Sequence, residues 1–385
     1  MPTYAWTVIG AGPAGIAAVG RLLDRGIAAE TIAWIDPAFA AGDLGQKWRS
    51  VSSNTQVGHF LDYLNGSSAF RFAEAPPMPL HEVDSRETCV LALVAEPLVW
   101  ITGNLRDRVT TYETTATALT LQRKQWTIET EHQQIESKNV ILAVGAVPKK
   151  LSHPRLREIP VEVALDPEKL RDQPLDGATV AVFGSSHSSM IALPNLLRQP
   201  VEKVINFYRR PLKYAIYLDD WILFDDTGLK GRAAVWAREN IDGVLPDRLE
   251  RCLDSSAEFE EKIAECDHVV YTIGFERRQL PETRQWGPLN YNTRNGILAP
   301  GLFGLGIAFP EYTEDPYGYG QYRVGLKKFM EYLNSVLPLW MLYGTEAPAQ
   351  CSTLGRPHGA APKNPAGAHR ATRPSPITVS ATHRS

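Results

Sequence analysis

Thr7-Val8-Ile9-Gly10-Ala11-Gly12-Pro13-Ala14-Gly15-Ile16-Ala17-Ala18 decides the fold. A short apolar run, Tyr4 to Ile9, stops at a glycine turn. An Ala- and Leu-rich stretch from Ile16 to Arg25 then reads as a helix, with Gly26 as its C-terminal stop. A second apolar run, Thr31 to Ile35, ends in Asp36. Strand, glycine turn, helix and strand within about thirty residues make one βαβ unit. In such a unit Gly10 allows the tight turn, Gly12 lets a pyrophosphate approach the backbone, and Gly15 lets helix and strand pack closely. Pro13 and Ala14 complete the binding turn, and the helix start offers unpaired N–H groups and a partial positive charge. Asp36 stands where a carboxylate accepts hydrogen bonds from ribose hydroxyls.

The pattern recurs downstream. Thr179 to Phe183 is apolar, the turn reads Gly184-Ser185-Ser186-His187-Ser188-Ser189, and Met190 to Leu197 begins a helix. Small hydroxyl residues replace the second and third glycines; serine still permits close approach and can itself bond phosphate oxygen. The next strand, Lys203 to Tyr208, ends in Arg209-Arg210, where the first unit has Asp36. Arginine pairs bidentately with a 2′-phosphate that an acid would repel, so the second site reads as NADPH-binding. His187 either touches the cofactor or fills the turn. A third apolar strand, His268 to Ile273, reaches Gly274.

Between the two units, Val109 to Val144 reads as several short strands, the last running into Gly145. Lys149 to Gly177, rich in Pro and charge, reads as a connecting segment. Gly301 to Gly306 precedes a Tyr-rich loop, Glu311 to Tyr322, which is an active-site lid or a surface turn. A last helix is expected over roughly Val324 to Leu333, and Val336 to Tyr343 as a buried or interfacial helix end. From Ala347 the chain turns to Pro, Ala, Ser, Thr, Arg and His with no acidic residue, a composition that predicts a disordered, solvated tail.

The chain has 385 residues, enough for two domains and a tail. Hydrophobic residues at 44% and charged residues at 22% fit a soluble globular protein. A net charge of −3 gives no electrostatic reason to expect nucleic acid. No apolar run is long enough for a membrane span, and no basic segment precedes an apolar one at the start, which predicts a cytoplasmic location. The four cysteines, Cys89, Cys252, Cys266 and Cys351, form no C-x-x-C pair. A disulfide framework and a metal site are therefore not expected.

On these motifs the chain resembles the two-dinucleotide-binding-domain flavoproteins, and most of all the flavin-containing and N-hydroxylating monooxygenases. Gly42 to Thr55, GDLGQKWRSVSSNT, is similar to the family segment that lies along the flavin. Val140 to Pro148 resembles the family's "ATG…P" strand, Tyr271 to Phe275 a second copy of it, and Gly301 to Ala308 the strand returning to the flavin ring. The family's F-x-G-x-x-x-H fingerprint is absent; Val163-Ala164-Leu165-Asp166 stands in its place. The resemblance implies FAD at the first site, held by Gly10, Gly12, Pro13, Ala14, Gly15, Asp36, Trp48, Asn54, Gly145 and Gly306. It implies NADPH at Gly184, Ser185, Ser186, His187, Ser188, Arg209, Arg210 and Gly274.

NADPH would reduce the flavin, and the reduced flavin would react with O2 at C4a to oxygenate a small-molecule substrate. Asn54 is the catalytic candidate, as a hydrogen-bonding group near the flavin or as an asparagine that merely closes a turn. Three other readings share parts of this fold. A thioredoxin-reductase-type enzyme needs the missing cysteine pair. An NADPH-dependent flavin reductase would pass electrons on without oxygen insertion, and a non-catalytic flavin-binding protein would need only one nucleotide site. The expected architecture is α/β with two Rossmann-like domains. A discontinuous FAD domain spans 1–160 and 285–346, an NADPH domain is inserted at 161–284, and 347–385 form the tail.

Overall fold

The computed structural model describes residues 3–343, so the expected tail lies outside the described residues. The opening unit forms as its sequence dictates. Strand Thr3–Ile9 pairs in parallel with Ile32–Ile35, in a register that sets Val8 opposite Trp34. The helix between them, Pro13–Asp24, has proline in its first turn, where a missing N–H costs nothing. It ends at Gly26, whose φ of 78° returns the chain to the second strand. Ala14, Ala17 and Ala18 are buried on this helix, small enough to let it lie close on the sheet.

Among the described residues the first sheet has nine strands. Its parallel centre places Gln134–Leu142 beside Thr3–Ile9 and sets Ile141 opposite both Val8 and Phe303. Strand Gln134–Leu142 divides its other edge. Its first half pairs antiparallel with Gln125–Thr130, and its last residues pair in parallel with Leu302–Gly304. The alternation read in Trp126 to Thr130 is real: Trp126 and Ile128 point into a core shared with Leu302 and Phe309.

The second sheet is wholly parallel, in the order Arg157–Glu158, His268–Tyr271, Thr179–Phe183, Lys203–Tyr208, Leu249–Leu253. Its central strands are buried on both faces, which is why Thr179–Phe183 reads as a continuous apolar run. Two short strands, Ala146–Pro148 and Phe275–Arg277, carry the chain out to this sheet and back, and pair antiparallel with each other.

The edges add detail. Arg157–Glu158 belongs to the second sheet and Glu282–Thr283 to the first, so the chain crosses between the sheets before 157 and before 282. Strands this short carry too little periodicity to be read. The segment from Lys149 to Gly177 also holds two short helices, Val161–Ala164 and Pro167–Arg171, the second capped by the Asp166 carboxylate on two backbone amides. The last helix runs from Leu326 to Leu342, straight through Pro338. Val336, Leu337 and Trp340 continue its buried stripe, and Trp340 stacks on Phe303 at 4.8 Å. That packing outweighs the one backbone hydrogen bond lost at proline.

Candidate active site

At the first turn the geometry is close-packed. Gly10 has a φ of 110°, and a Cβ there would lie 2.3 Å from the Ala143 carbonyl oxygen. A Cβ on Gly15 would lie 1.8 Å from the Gly10 carbonyl oxygen. Gly12 is different: a Cβ there would meet nothing nearer than Gly42 Cα at 3.9 Å. The packing of the protein itself therefore leaves Gly12 room for a side chain. Gly12 is also the N-cap of its helix and supplies no side-chain cap, so the first amides remain available to phosphate oxygens.

Of the other residues of the first set, Asp36 and Gly306 stand at this turn. Asp36 turns its carboxylate back on the loop, accepting from the amides of Ala11 at 2.7 Å, Ala38 at 2.9 Å and Phe39 at 2.7 Å. Three of its roughly four lone-pair positions are thereby used, leaving one open. Gly306 packs on the helix start, where a Cβ would lie 2.5 Å from Ala14 Cβ. Gly145, with a φ of 77°, accepts from the Arg278 amide at 3.2 Å. Trp48 meets Phe275 edge to face at 5.9 Å, at the crossing between the two sheets.

The second turn opens into a cleft of about 870 Å³ lined by Gly184, Ser185, Ser186, Arg209, Arg210 and Gly274. Its helix, too, begins without a side-chain cap, at Ser186. Lys149 and Lys150 line the same cleft, whose lining acids are Asp254 and Glu276, and Lys150 pairs with Glu158 at 2.7 Å. The sequence reading passed over this lysine pair; the signal was its place directly after Pro148, at the end of the crossing strand. His187 and Ser188 do not line this cleft. They open the helix, and the His187 ring points to the other side, its Nε2 lying 3.0 Å from the Ser52 carbonyl oxygen. Burial pushes the His187 pKa down, with the nearby Lys230 charge acting in the same direction.

Ser189 holds the third-glycine position. Its hydroxyl is fully buried and lies 2.6 Å from Thr272 Oγ1, which donates to the Phe183 carbonyl at 2.6 Å. It joins the helix to Thr272, just past the strand His268–Tyr271.

Asn54 lies elsewhere, on a cleft of about 600 Å³ walled by residues 54–59, by a loop of the second sheet's half, and by the Tyr-rich segment with the last helix. That Tyr-rich segment is a β-hairpin, Glu311–Glu314 paired with Gly320–Arg323. The opposing loop is closed at its base by a bridge from Tyr214 to Leu229. The two touch through aromatic edges, Trp221 on Tyr317 at 5.2 Å and Phe224 on Tyr319 at 5.0 Å. Below them runs a chain of opposite charges: Lys230 on Asp225, Asp225 on Lys328, and Lys328 on Asp226 at 2.8 Å. Burial raises the Asp225 pKa, but Lys328 and Lys230 outweigh it and hold the carboxyl below its ordinary value. Among the described residues no group of His, Cys, Asp and Glu could hold a metal ion, and no helix is long and apolar enough to cross a membrane.

A mixed sheet with a parallel centre and a wholly parallel one, each with an uncapped glycine turn and joined by a double crossing, define the class: the fold of the two-dinucleotide-binding-domain flavoproteins. Comparison with solved structures agrees. The flavin-containing monooxygenase of Stenotrophomonas maltophilia superposes with a TM-score of 0.60 at 15% identity, over 89% of this chain and 99% of that one. The bacillithiol disulfide reductase of Staphylococcus aureus superposes at 0.56 with 11% identity, over 89% and 99%. No protein-family model matches the chain. Monooxygenase AgnR1 of Paecilomyces divaricatus is 35% identical over 381 residues, which cover 87% of this chain and 97% of that protein. The chain belongs to the family of that monooxygenase and is an oxidoreductase.

Proposed function

We propose that the protein is an FAD-dependent, NADPH-using monooxygenase that acts on a small molecule and O2 through a C4a-peroxyflavin. The observation that carries this reading is the space at Gly12, at the start of an uncapped helix: the chain keeps a bare backbone where its own packing does not need one. Gly10, Gly12, Pro13, Ala14, Gly15, Asp36, Gly145 and Gly306 would hold FAD, with Trp48 and Asn54 beside it. Gly184, Ser185, Ser186, Arg209, Arg210 and Gly274 would hold NADPH, joined by Lys149 and Lys150. In this reading the first sheet's half is the FAD domain and the second sheet's half the inserted NADPH domain. Bound flavin supplies the redox chemistry, taking hydride from NADPH and passing electrons to oxygen. The chain's part is to bind, orient and exclude water. Asn54 would offer its amide as a hydrogen-bonding group beside the reacting oxygen.

The three described cysteines are buried and unpaired, which leaves no dithiol relay among the described residues. Rapid mixing tests the proposal. NADPH should bleach the flavin band, and oxygenated buffer should then produce a transient near-ultraviolet band before the oxidised spectrum returns. Bleaching with direct return to oxidised flavin would point instead to a reductase that passes its electrons to another acceptor. Absence of bleaching would remove NADPH from the reading.

A further inference from the structure

The two glycine turns correspond residue for residue in their strand registers. Ile9 pairs with Ile35 in the first unit, and Phe183 with Phe207 in the second. The next amide, of Gly10 or of Gly184, donates to the carbonyl of that partner, at 2.8 and 2.9 Å. Position for position, Asn206 therefore matches Trp34, and Tyr208 matches Asp36; Arg209 and Arg210 come one and two residues later.

At the first of these positions the two units do the same thing. Trp34 Nε1 donates to the Gly10 carbonyl at 2.9 Å, and Asn206 Nδ2 donates to the Gly184 carbonyl at 2.7 Å. Asn206 is fully buried and also donates to the Val182 carbonyl at 3.0 Å. Its Oδ1 accepts from Arg251 Nε at 3.1 Å, and the Arg251 guanidinium lies over the Tyr208 ring at 4.0 Å. Because the peptide unit is planar, a carbonyl held in this way also fixes the direction of the amide that follows it.

At the second position the units part. In the first turn that following amide, of Ala11, donates to the Asp36 carboxylate at 2.7 Å. In the second turn the matching residue is a tyrosine, and the Ser185 amide has no acceptor among the described residues. Ser185 lines the same cleft as Arg209 and Arg210. An amide aimed by a buried side chain and left without an internal acceptor, beside two arginines, suits an anion that the ligand brings.

We infer that the 2′-phosphate of NADPH takes at the second turn the place that the Asp36 carboxylate fills at the first, accepting from the Ser185 amide, and that Asn206, backed by Arg251, is the positioning residue that aims this amide. The inference rests on the reading of the second site as NADPH-binding, and it adds a reader of the phosphate besides the two arginines. No bond is made or broken in this step.

Calorimetric titration of the FAD-loaded full chain with 2′,5′-ADP and 5′-AMP tests it, since these probes differ only by that phosphate. The wild-type protein should bind 2′,5′-ADP at least about tenfold tighter, the range of hydrogen bonds to a charged acceptor. Tyr208→Asp sets a carboxylate beside the Ser185 amide, as in the first turn, and should bring the probes within about twofold of each other although both arginines remain. Tyr208→Phe should keep the wild-type ratio. Asn206→Leu should cut the ratio at least about threefold while the affinity for 5′-AMP stays within about twofold, whereas mere loosening of the fold would weaken both probes alike. A wild-type ratio in Tyr208→Asp, or equal weakening of both probes in Asn206→Leu, overturns the inference alone, and Tyr208→Asp decides should Asn206→Leu fail to fold. Equal binding of the two probes by the wild-type protein overturns the NADPH reading and the inference with it.

Discussion

The two glycine turns solve one geometric problem by opposite means. Both must bring a helix close against the strand before it and leave amides free at the helix start. The first does so with no side chain at all: Gly15 has no space even for a Cβ, which would sit 1.8 Å from the Gly10 carbonyl oxygen. The second keeps a side chain at the matching position and uses it, burying the Ser189 hydroxyl 2.6 Å from Thr272 Oγ1. The strand ends differ in the same spirit. Asp36 is tied inward to three backbone amides, whereas Arg209 and Arg210 stand exposed on the rim of their cleft. A turn closed on itself recognises a ligand by shape and backbone. A turn with charges free at its rim recognises it by charge.

Substitutions can break this contrast. The largest effect is expected at the first turn. Gly15→Ala should lose bound flavin and also destabilise the fold by about 3 kcal/mol, because the methyl overlaps backbone that cannot yield. Gly12→Val should lose the flavin colour while the flavin-free protein keeps its thermal midpoint. The ratio of flavin to protein absorbance, read with a melting curve, checks both, and full flavin in Gly12→Val would refute the site assignment. Next comes the rim of the second turn. Arg209→Ala with Arg210→Ala should raise KM for NADPH by on the order of tenfold or more and leave KM for NADH almost unchanged. Equal effects on both nucleotides would mean that these arginines do not read the 2′-phosphate.

Ser189→Ala is expected to be milder, costing about 1 kcal/mol for the lost buried hydrogen bond and leaving KM for NADPH in place. A rise in KM as large as that of the arginine variant would put Ser189 in the ligand site and end the contrast. The smallest effect concerns His187. Its folded pKa lies below the ordinary 6.5, so the unfolded chain binds the proton first as pH falls. The stability held by the neutral ring is present above about pH 6.5 and is lost as pH drops from there toward the folded value, by at most about 1.4 kcal/mol per pH unit. Burial lowers His153 and His268 in the same way, so the comparison is made against His187→Gln, which should show a shallower fall in thermal midpoint below pH 6.5. Identical slopes would show that His187 carries none of it.

What could be read in the sequence follows from how local each feature is. Both turns, Asp36, the arginine pair and the strand Leu302–Gly304 rest on short runs whose residue types are dictated by backbone geometry, and they fall where the sequence places them. The direction of His187 could not be read that way. A residue in the first turn of a helix faces either ligand or neighbour, and only the arrival of Ser52, 135 residues away, shows which. The cleft beside Asn54 was less visible still. Asp226 and Lys230 come from one loop and Lys328 from a helix that meets it only in the folded chain, and nothing in the sequence marks them as one ion-paired row. The tyrosines of the Glu311 to Tyr322 segment announced a feature without its shape; the hairpin and its aromatic partners Trp221 and Phe224 supply that.

The paired crossings Ala146–Pro148 and Phe275–Arg277 have a mechanical consequence. Two strands laid side by side and hydrogen-bonded act as a strap hinge: the half beyond them turns about their common axis at low cost and resists sliding along it. On such a hinge the contacts that part first are those far from the axis that join one half to the other. Lys328 on Asp226 and His187 on Ser52 join one half to the other, so any such turn has to part a salt link and a hydrogen-bonded imidazole.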